Sequence, residues 1–430
     1  MNADLTTCVG EQRQNVLIVE DSKTFGSLLS RAVQSGLGIE ARITPSFADT
    51  KKHLSFCAGD YFAALLDLNL PDAPRGEIVD LVVKHGIPAV VFTGEMSDDI
   101  RDLMWSKHIV DYVLKDNREN IQQVVAILKR LRQNMGKKAL VVDDSAVSRA
   151  VIRGLLEVWN FTVLEATDGR TALEILEREK DPKVCLMITD YNMPGMDGAA
   201  LVREVRRTLS KSRLPIIGLS GAGGATTSAH FIKAGANDYM HKPFLTEEFY
   251  CRVLSNIETS DYIATIRDLA ERDSLTGAFN RRSFFSYGQK LLAGHRRRGK
   301  GLVLAMLDID HFKRCNDRYG HAAGDLVISA VARYLSARFR ESDMVARMGG
   351  EEFAVICADM DPDRCAEVFD EVRQGIEGTV VSYEGQDIRV TMSIGVCARQ
   401  DESLEEMLKR ADRMLYEAKD GGRNRIQIDR

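Results

Sequence analysis

The chain has 430 residues and a formal net charge of −5, with 58 lysines and arginines against 63 aspartates and glutamates. This length predicts about three domains, because a domain usually holds about 150 residues. The mild negative charge argues against general binding to nucleic-acid phosphates. No apolar run approaches the roughly 18 residues that a membrane span requires. We therefore expect neither a nucleic acid nor a membrane as a partner.

Residues 1–13 lack a basic and apolar signal pattern, and we interpret them as a flexible N-terminus. The eight cysteines lie far apart, without a Cys-x-x-Cys pair, which indicates reduced thiols. Both observations predict a cytoplasmic protein.

An internal repeat organises residues 1–258. In each copy an apolar strand ends in two adjacent acids, a second strand in an aspartate, a third in a hydroxyl followed by glycine, and a fourth in a lysine. The matching pairs are Glu20 and Asp143, Asp21 and Asp144, Asp67 and Asp190, Thr93 and Ser220, and Lys115 and Lys242. The interval from the second acid to the next aspartate is the same in both copies, as is the interval from the hydroxyl to the lysine. Unrelated loop residues would not keep this register twice.

Strands that alternate with helical segments favour a parallel, doubly wound sheet, whose functional crevice lies at the carboxyl ends of the strands. Each copy therefore gathers three carboxylates, a hydroxyl and an ammonium at one edge. Clustered carboxylates repel one another and favour a hard cation such as Mg²⁺. Beside this cation, Asp67 or Asp190 can act as a nucleophile towards a phosphoryl donor, and the lysine and hydroxyl can bind the phosphoryl oxygens.

These residues resemble the receiver domain of bacterial response regulators in two-component systems, in both copies. The resemblance implies a flavodoxin-like (βα)5 fold and a histidine kinase or phosphotransfer protein as phosphodonor. It also implies a switch in which Thr93 moves together with Tyr112, and Ser220 together with Tyr239.

The two copies differ after the lysine. Lys242 is followed by Pro243, as is usual in the family, whereas Lys115 is followed by Asp116. We therefore predict phosphorylation at Asp190 in preference to Asp67.

Residues 246–272 contain neither proline nor glycine, which predicts one long helix. Its apolar residues form a narrow stripe: Phe249, Val253, Ile257, Ile263, Ile266 and Ala270. Such a stripe either packs on its own domain or pairs with a second copy of the chain.

A different pattern begins at Asp273. The strand Leu302–Leu307 ends in Asp308 and Asp310, and two apolar runs flank the segment Gly349-Gly350-Glu351-Glu352-Phe353. Two glycines between apolar runs predict a tight hairpin with positive φ. Strand-end aspartates near a glutamate pair suggest a divalent metal and a phosphate-bearing substrate.

This segment resembles the GGDEF domain, in its Gly-Gly-Glu-Glu-Phe form, from Asp273 to Ile428. The matching motifs are Asp308-x-Asp310-x-Phe312-Lys313-x-x-Asn316-Asp317, Gly320-His321-x-x-Gly324-Asp325, Ser393-Ile394-Gly395 and Tyr416-x-Ala418-Lys419-x-x-Gly422-Arg423-Asn424. The resemblance implies an α+β, palm-like nucleotidyl cyclase fold. It also implies diguanylate cyclase activity, a cyclising nucleotidyl transfer that joins two GTP molecules into cyclic di-GMP and releases two pyrophosphates.

The resemblance further implies roles for single residues. Asp308, the Ile309 carbonyl and Glu351 hold Mg²⁺ or Mn²⁺, and Glu352 is a metal ligand or helps to deprotonate the 3′-hydroxyl. The residues implied in phosphate binding are Lys313, Lys419 and Arg423, with backbone N–H groups near His311 and Phe312. Asn316 and Asp325 are the implied guanine readers, because a carboxylate that accepts from guanine N1–H and N2–H₂ is left unpaired by adenine.

One such domain holds one nucleotide and cannot complete two reciprocal attacks, so we expect a homodimer whose assembly or geometry the receivers control. Arg340 and Asp343 stand shortly before the hairpin and resemble an inhibitory site for the product, cyclic di-GMP. The alternative is a catalytically silent response regulator that senses a nucleotide. The complete set of metal-binding acids argues against this alternative.

The predicted domain limits follow from these patterns. They are a flexible N-terminus at 1–13, receiver domains at 14–135 and 136–258, a helical linker at 259–272 and a GGDEF domain at 273–430.

Overall fold

The computed structural model describes residues 13–94, 97–116, 118–179, 183–221, 225–298, 301–340, 342–361, 364–398 and 403–429. The predicted flexible N-terminus, apart from Arg13, lies outside the described residues. The chain forms two units that divide between Tyr262 and Ile263. Within the described ranges, no helix combines the length and the apolarity needed to cross a membrane.

The first copy of the repeat forms a five-stranded parallel sheet with strand order β2-β1-β3-β4-β5. Its elements are β1 (Asn15–Val19), α1 (Lys23–Leu37), β2 (Ala41–Thr44), α2 (Phe47–Cys57), a short 3₁₀ helix (Ala58–Asp60), β3 (Tyr61–Leu66), α3 (Glu77–Lys84), β4 (Ala89–Thr93), α4 (Asp98–Ser106), β5 (Asp111–Leu114) and α5 (Arg118–Asn134). Strands β3 and β4 are buried along their whole length, as expected for a sheet covered by helices on both faces.

The second copy forms a sheet with the corresponding order, β10-β9-β8-β6-β7. Its elements are β6 (Lys138–Val142), α6 (Ala146–Val158), β7 (Thr162–Ala166), α7 (Gly169–Arg178), β8 (Val184–Asp190), α8 (Gly198–Arg206), β9 (Ile216–Ser220), α9 (Ala225–Ala234), β10 (Asp238–His241) and α10 (Thr246–Glu271). The prediction of a parallel, doubly wound sheet is confirmed for both copies.

A serine fixes the turn that carries the two adjacent acids in each copy. Ser22 caps α1 by accepting from the backbone N–H of Phe25, and Ser145 caps α6 by accepting from Ser148. The acids therefore lie between the buried end of a strand and the first turn of a helix. This arrangement places their carboxylates at the carboxyl edge of the sheet.

Helix α10 confirms the predicted long helix, and its apolar stripe changes environment along its length. Phe249, Val253 and Ile257 are buried, and Phe249 lies in a core cluster that includes residues from both parallel sheets. Further along, Ile266 is 66% exposed and Leu269 is 75% exposed. The first half of the helix thus packs in its own unit, and the second half presents an apolar stripe to solvent.

The second unit is built on a six-stranded sheet with the order β11-β13-β14-β12-β17-β18. The elements are β11 (Phe279–Asn280), α11 (Arg281–Arg298), β12 (Leu302–Ile309), α12 (Phe312–Tyr319), α13 (His321–Arg338), β13 (Met344–Gly349), β14 (Glu352–Ala358), α14 (Cys365–Glu377), β15 (Val381–Tyr383), β16 (Gln386–Ile388), β17 (Met392–Cys397), α15 (Leu404–Asp420) and β18 (Ile426–Asp429). Strands β15 and β16 form a separate hairpin.

The central strand β12 is fully buried and pairs antiparallel with β14 and β17. The hairpin between β13 and β14 has the predicted positive φ values, 148° at Gly349 and 53° at Gly350. It brings Glu351 and Glu352 to the end of β12, where Asp308 lies. The predicted hairpin and the predicted strand end therefore meet at one edge of the sheet.

Candidate active site and phosphorylation sites

Three carboxylates converge at the edge of the first parallel sheet. The side-chain oxygens of Glu20, Asp21 and Asp67 lie within 4.8 Å of one another, and this is the one such group of acids, histidines or cysteines among the described residues. Glu20 and Asp67 are buried, while Asp21 is exposed. A cluster of this kind suits a hard divalent cation with oxygen ligands.

Lys115 reaches into this cluster although no proline follows it. Its Nζ lies 2.6 Å from Glu20 Oε2 and 2.7 Å from Asp67 Oδ2. Burial raises the pKa of Glu20, and repulsion from Asp67 adds to this shift, while Lys115 opposes it. The ammonium also lies 5.3 Å from the ring centre of Phe25 and 5.6 Å from that of Phe92.

The second parallel sheet repeats the lysine contacts, with Asp143 and Asp190 in the places of Glu20 and Asp67. Lys242 Nζ lies 2.6 Å from Asp143 Oδ2 and 2.6 Å from Asp190 Oδ1, and the Lys242–Pro243 peptide bond is cis. Burial lowers the pKa of Lys242, but the hydrogen bonds that its ammonium donates to Asp143 and Asp190 outweigh this effect, so that the pKa lies above its ordinary value. Asp144 is exposed beside this group.

The predicted switch residues lie on the neighbouring strands. Thr93 and Ser220 are buried at the ends of β4 and β9, and Ser220 Oγ is hydrogen-bonded to His241 Nδ1 at 3.0 Å. Tyr112 packs edge to face against Trp105, and Tyr239 does so against His241. Each tyrosine is half-buried.

In the second unit, strand register places two acids opposite each other. Asp308 on β12 pairs with Glu352 on β14, which puts their Cβ atoms roughly 5 Å apart. Burial raises the pKa of both carboxyls, and Asp308 further raises that of Glu352. Like charges held directly opposite are unfavourable without a cation between or beside them.

A lysine again lies beside these acids. Lys419, in the last turn of α15, places its Nζ 2.8 Å from Asp308 Oδ2. Glu351 is half-buried in the hairpin turn, and its carbonyl accepts from the N–H of Ile309 at 3.4 Å. The structure thus places the predicted metal ligands Asp308, Ile309, Glu351 and Glu352 at one edge of the sheet, with Lys419 in contact with Asp308.

Asn316 of α12 packs against Gly324 of α13. Its buried Oδ1 accepts no hydrogen bond from the described part of the chain. A Cβ at Gly324 would lie 1.9 Å from this oxygen and 3.1 Å from the Phe312 ring, so only glycine fits there. Asp325, the next residue on α13, is exposed.

The remaining predicted substrate residues differ in exposure. Lys313, His311 and Arg423 are exposed, whereas the ring of Phe312 is buried in the core. His311 and Arg423 adopt left-handed backbone conformations, with φ values of 55° and 63°. His311 also lines a cavity of about 560 Å³ on the side of α12 that carries Arg314 and Arg318.

Arg340 and Asp343 form a tight turn before β13. Asp343 accepts from the backbone N–H of Arg340 at 3.1 Å and from that of Ala358 at 3.0 Å, while Arg340 is exposed. The carboxylate is therefore oriented by backbone hydrogen bonds.

Two groups of interacting residues were not predicted from the sequence. One is an aromatic cluster in the first unit, where Tyr250 of α10 packs on Trp105 and Trp159, with ring centres 5.9 and 5.8 Å away. The other is the hydrogen-bonded environment of Asp310. Neither follows a local spacing rule, because the partners are far apart in the chain.

Family models match two segments of the chain. Residues 270–425 match the GGDEF domain of diguanylate cyclases, and residues 139–254 match the response regulator receiver domain. Together with the parallel sheet and the acid-lined hairpin, these matches define a response regulator with an enzymatic output. The chain belongs to the GGDEF family and is a diguanylate cyclase.

Individual relatives agree with this assignment. The response regulator PleD of Caulobacter vibrioides is 27% identical over 339 residues, which cover 76% of this chain and 74% of PleD. The diguanylate cyclase VdcA of Vibrio cholerae is 38% identical over 187 residues, which cover 43% of this chain and 54% of VdcA. A solved two-component response regulator/GGDEF protein is 39% identical, with a TM-score of 0.51, over 58% of this chain and 99% of that protein.

Proposed function

We propose that the chain is a phosphorylation-regulated diguanylate cyclase, which condenses two GTP into cyclic di-GMP and two pyrophosphates in a dimer of its GGDEF domains. The domain limits are those predicted from the sequence, with two receiver domains at 14–135 and 136–258. The observation that carries the proposal is the register that holds Asp308 opposite Glu352, beside Lys419. The cytoplasmic location stays a prediction.

Mg²⁺ or Mn²⁺ fits this site because two mutually repelling carboxyls with raised pKa values, the buried Asp308 and the half-buried Glu352, lie opposite each other. Asp308, the Ile309 carbonyl, Glu351 and Glu352 are the residues that would hold it. A divalent cation there supplies charge neutralisation at the α-phosphoryl group. Glu352, whose pKa is raised, is suited to accept the proton of the attacking 3′-hydroxyl.

Lys419, Arg423 and Lys313 supply cations for the β- and γ-phosphates of the leaving pyrophosphate. The 3′-oxygen forms a bond to the α-phosphorus of the second GTP as the bond to pyrophosphate breaks. Backbone N–H groups of His311 and Phe312, at the N-terminus of α12, supplement these cations.

The guanine base is read by Asn316 and Asp325. The buried, unpaired Oδ1 of Asn316 is an acceptor that a guanine N–H would satisfy, and the Asp325 carboxylate accepts from N1–H and N2–H₂. Adenine lacks these donors, which favours GTP over ATP.

The first prediction concerns the metal-binding acids. Glu351→Gln keeps the size of the side chain but removes its charge, so we expect the rate of cyclic di-GMP formation to fall by roughly 100-fold or more. Chromatography of products from Mg²⁺ and GTP measures this rate. The exposed Glu367→Gln on α14 is the matched control and should keep full activity.

Retained activity in Glu351→Gln would contradict the metal-binding role. An unmodified protein that makes no cyclic di-GMP, with or without a phosphodonor, would favour the nucleotide-sensing alternative.

The second prediction tests the guanine pocket. In Gly324→Ala the added methyl overlaps Asn316 Oδ1 and displaces the amide, so we expect KM for GTP to rise about tenfold. Gly294→Ala, on α11 with open space around its Cβ, is the control and should leave KM unchanged. Initial rates at increasing GTP concentration provide the measurement, and an unchanged KM in Gly324→Ala would argue against the pocket.

Both receivers carry the residues for phosphoryl transfer. Asp190 is the preferred nucleophile, with Mg²⁺ held by Asp143 and Asp144, and Asp67 is the second, with Glu20 and Asp21. Lys242 and Lys115 already lie within 2.7 Å of the nucleophilic aspartates, which positions each ammonium for a phosphoryl oxygen. A histidine kinase or phosphotransfer protein is the proposed phosphodonor.

The third prediction separates the two phosphorylation sites. Acetyl phosphate should stimulate the cyclase, within the roughly 5- to 150-fold range of typical allosteric coupling. Asp190→Asn should abolish most of this stimulation, while Asp67→Asn should retain it. The cyclase rate and the intact mass of each variant are measured together, and a full response in Asp190→Asn would assign the switch to Asp67.

Helix α10 offers a route from the receivers to the cyclase dimer. Its first half contacts Trp105, which donates to Glu247 at 2.8 Å, and its second half exposes Tyr262, Ile266 and Leu269 at heptad-like spacing. We propose that phosphorylation promotes the pairing of this stripe with the same stripe of a second copy. This pairing would raise the effective concentration at which two GTP-loaded half-sites meet.

The fourth prediction addresses product inhibition. Arg340, exposed beside the backbone-oriented Asp343, would bind the phosphate or guanine of cyclic di-GMP. Arg340→Ala should raise the cyclic di-GMP concentration that halves activity by about tenfold or more, as expected for loss of a charged hydrogen bond. The exposed Arg333→Ala on α13 is the control, and unchanged inhibition in Arg340→Ala would remove the inhibitory site.

A further inference from the structure

Asp310 follows the strand end that carries Asp308, but its surroundings differ. Its side chain is 6% exposed, and its two oxygens accept three hydrogen bonds. Thr391 Oγ1 donates to Oδ2 at 2.7 Å, Ser393 Oγ to Oδ1 at 2.6 Å, and the backbone N–H of Asn424 to Oδ2 at 3.0 Å. These three donors stabilise a buried carboxylate without a cation.

The third donor belongs to a turn with an unusual backbone. Arg423 and Asn424 both adopt left-handed conformations, with φ values of 63° and 45°. Two consecutive residues of this kind, neither of them glycine, persist only where surrounding contacts hold them. This turn directly follows α15, which carries Lys419.

The side chain of Asn424 is held from the opposite direction. Arg373 Nη1 donates to Asn424 Oδ1 at 3.0 Å, and Asn424 Nδ2 donates to Glu377 Oε1 at 3.0 Å. Both partners lie on α14. The turn is therefore fixed between Asp310, at the end of β12, and the surface of α14.

We propose that Asp310 is a positioning residue rather than a metal ligand, and that it holds the Arg423–Asn424 turn so that Arg423 meets the triphosphate of the bound nucleotide. The inference rests on the proposed phosphate-binding role of Arg423. Asp308 and Asp310 lie at the same end of β12, and Asp310 holds the turn that contains Arg423. The strand end therefore fixes the distance between the proposed metal-binding acids and the proposed phosphate-binding arginine.

The test measures binding of two ligands to the full chain by calorimetry in the presence of Mg²⁺. 3′-Deoxy-GTP lacks the attacking hydroxyl and cannot react, and GMP lacks the β- and γ-phosphates. Asp310→Asn should weaken 3′-deoxy-GTP binding by about tenfold or more, and change GMP binding by less than about twofold. The Mg²⁺ concentration for half-maximal cyclase activity at saturating GTP should not shift, whereas loss of a metal ligand would raise it.

A double-mutant cycle supplies the decisive comparison. If Asp310 acts through Arg423, then Asp310→Asn should weaken 3′-deoxy-GTP binding by no more than about twofold once Arg423→Ala is present. Equal weakening in both backgrounds would overturn the proposal. An undiminished affinity in Arg423→Ala alone would overturn it as well, because the turn would then have no nucleotide contact to position.

Two further variants keep the result interpretable. Ser393→Ala removes one hydrogen-bond donor to Asp310 but leaves the carboxylate. Like Asp310→Asn, it should weaken the binding of 3′-deoxy-GTP, and it provides this result even if Asp310→Asn does not fold. Asp387→Asn is the matched control, since this exposed carboxylate also accepts a serine hydroxyl, from Ser382 at 2.7 Å. Failure of the unmodified chain to bind 3′-deoxy-GTP would reject the proposed function itself, whereas normal binding by Ser393→Ala and Asp310→Asn would reject only the positioning role.

Discussion

The structure depends on one electrostatic constraint, which is that carboxylates are fixed close together at the ends of buried strands. A sheet sets the positions of its strand-end residues, so these acids cannot move apart to relieve their repulsion. In three places a lysine from later in the chain reaches such acids: Lys115, Lys242 and Lys419, at 2.6 to 2.8 Å. Each lysine contributes a positive charge that the neighbouring acids require.

The same constraint applies to the two parallel sheets of the first unit and to the six-stranded sheet of the second unit. In the parallel sheets the lysine contacts Asp67 or Asp190, the proposed nucleophile, where a phosphoryl group would form. In the second unit Lys419 lies on Asp308, next to the phosphates of a bound nucleotide in the proposed site. In both cases a cation that stabilises clustered acids is also placed to stabilise added phosphoryl charge, and a divalent ion would share that role.

In the first unit, packed aromatic side chains connect the two parallel sheets to helix α10. Tyr112, the predicted switch aromatic of the first sheet, contacts Trp105, and Trp105 contacts Tyr250 of α10. Tyr250 also contacts Trp159 from the second sheet. Packed aromatic rings transmit small displacements because protein interiors are dense. These aromatic contacts therefore connect both parallel sheets to α10, whose second half presents the exposed apolar stripe.

The sequence predicted those parts of the site that depend on position along one strand or one turn. The strand-end acids, the lysines at equal intervals and the Gly349–Gly350 hairpin are of this kind, because period-two strands and tight turns leave local patterns. The environment of Asp310 was not predictable in this way. The sequence grouped it with Asp308 as a strand-end aspartate near a divalent metal, and only the approach of Thr391, Ser393 and Asn424 shows that its oxygens are already hydrogen-bonded.

The packing of the proposed site within the second unit also bears on the proposed regulation. Asn316, Asp308 and Glu352 are held by packing and strand register within the second unit, so the proposed nucleotide site of one copy is formed by that unit alone. The proposed reaction also needs a second nucleotide in the opposite orientation, which a second copy of the chain would supply. The proposed control, which acts on the pairing of two copies, would therefore change the rate while leaving every contact within each half-site intact.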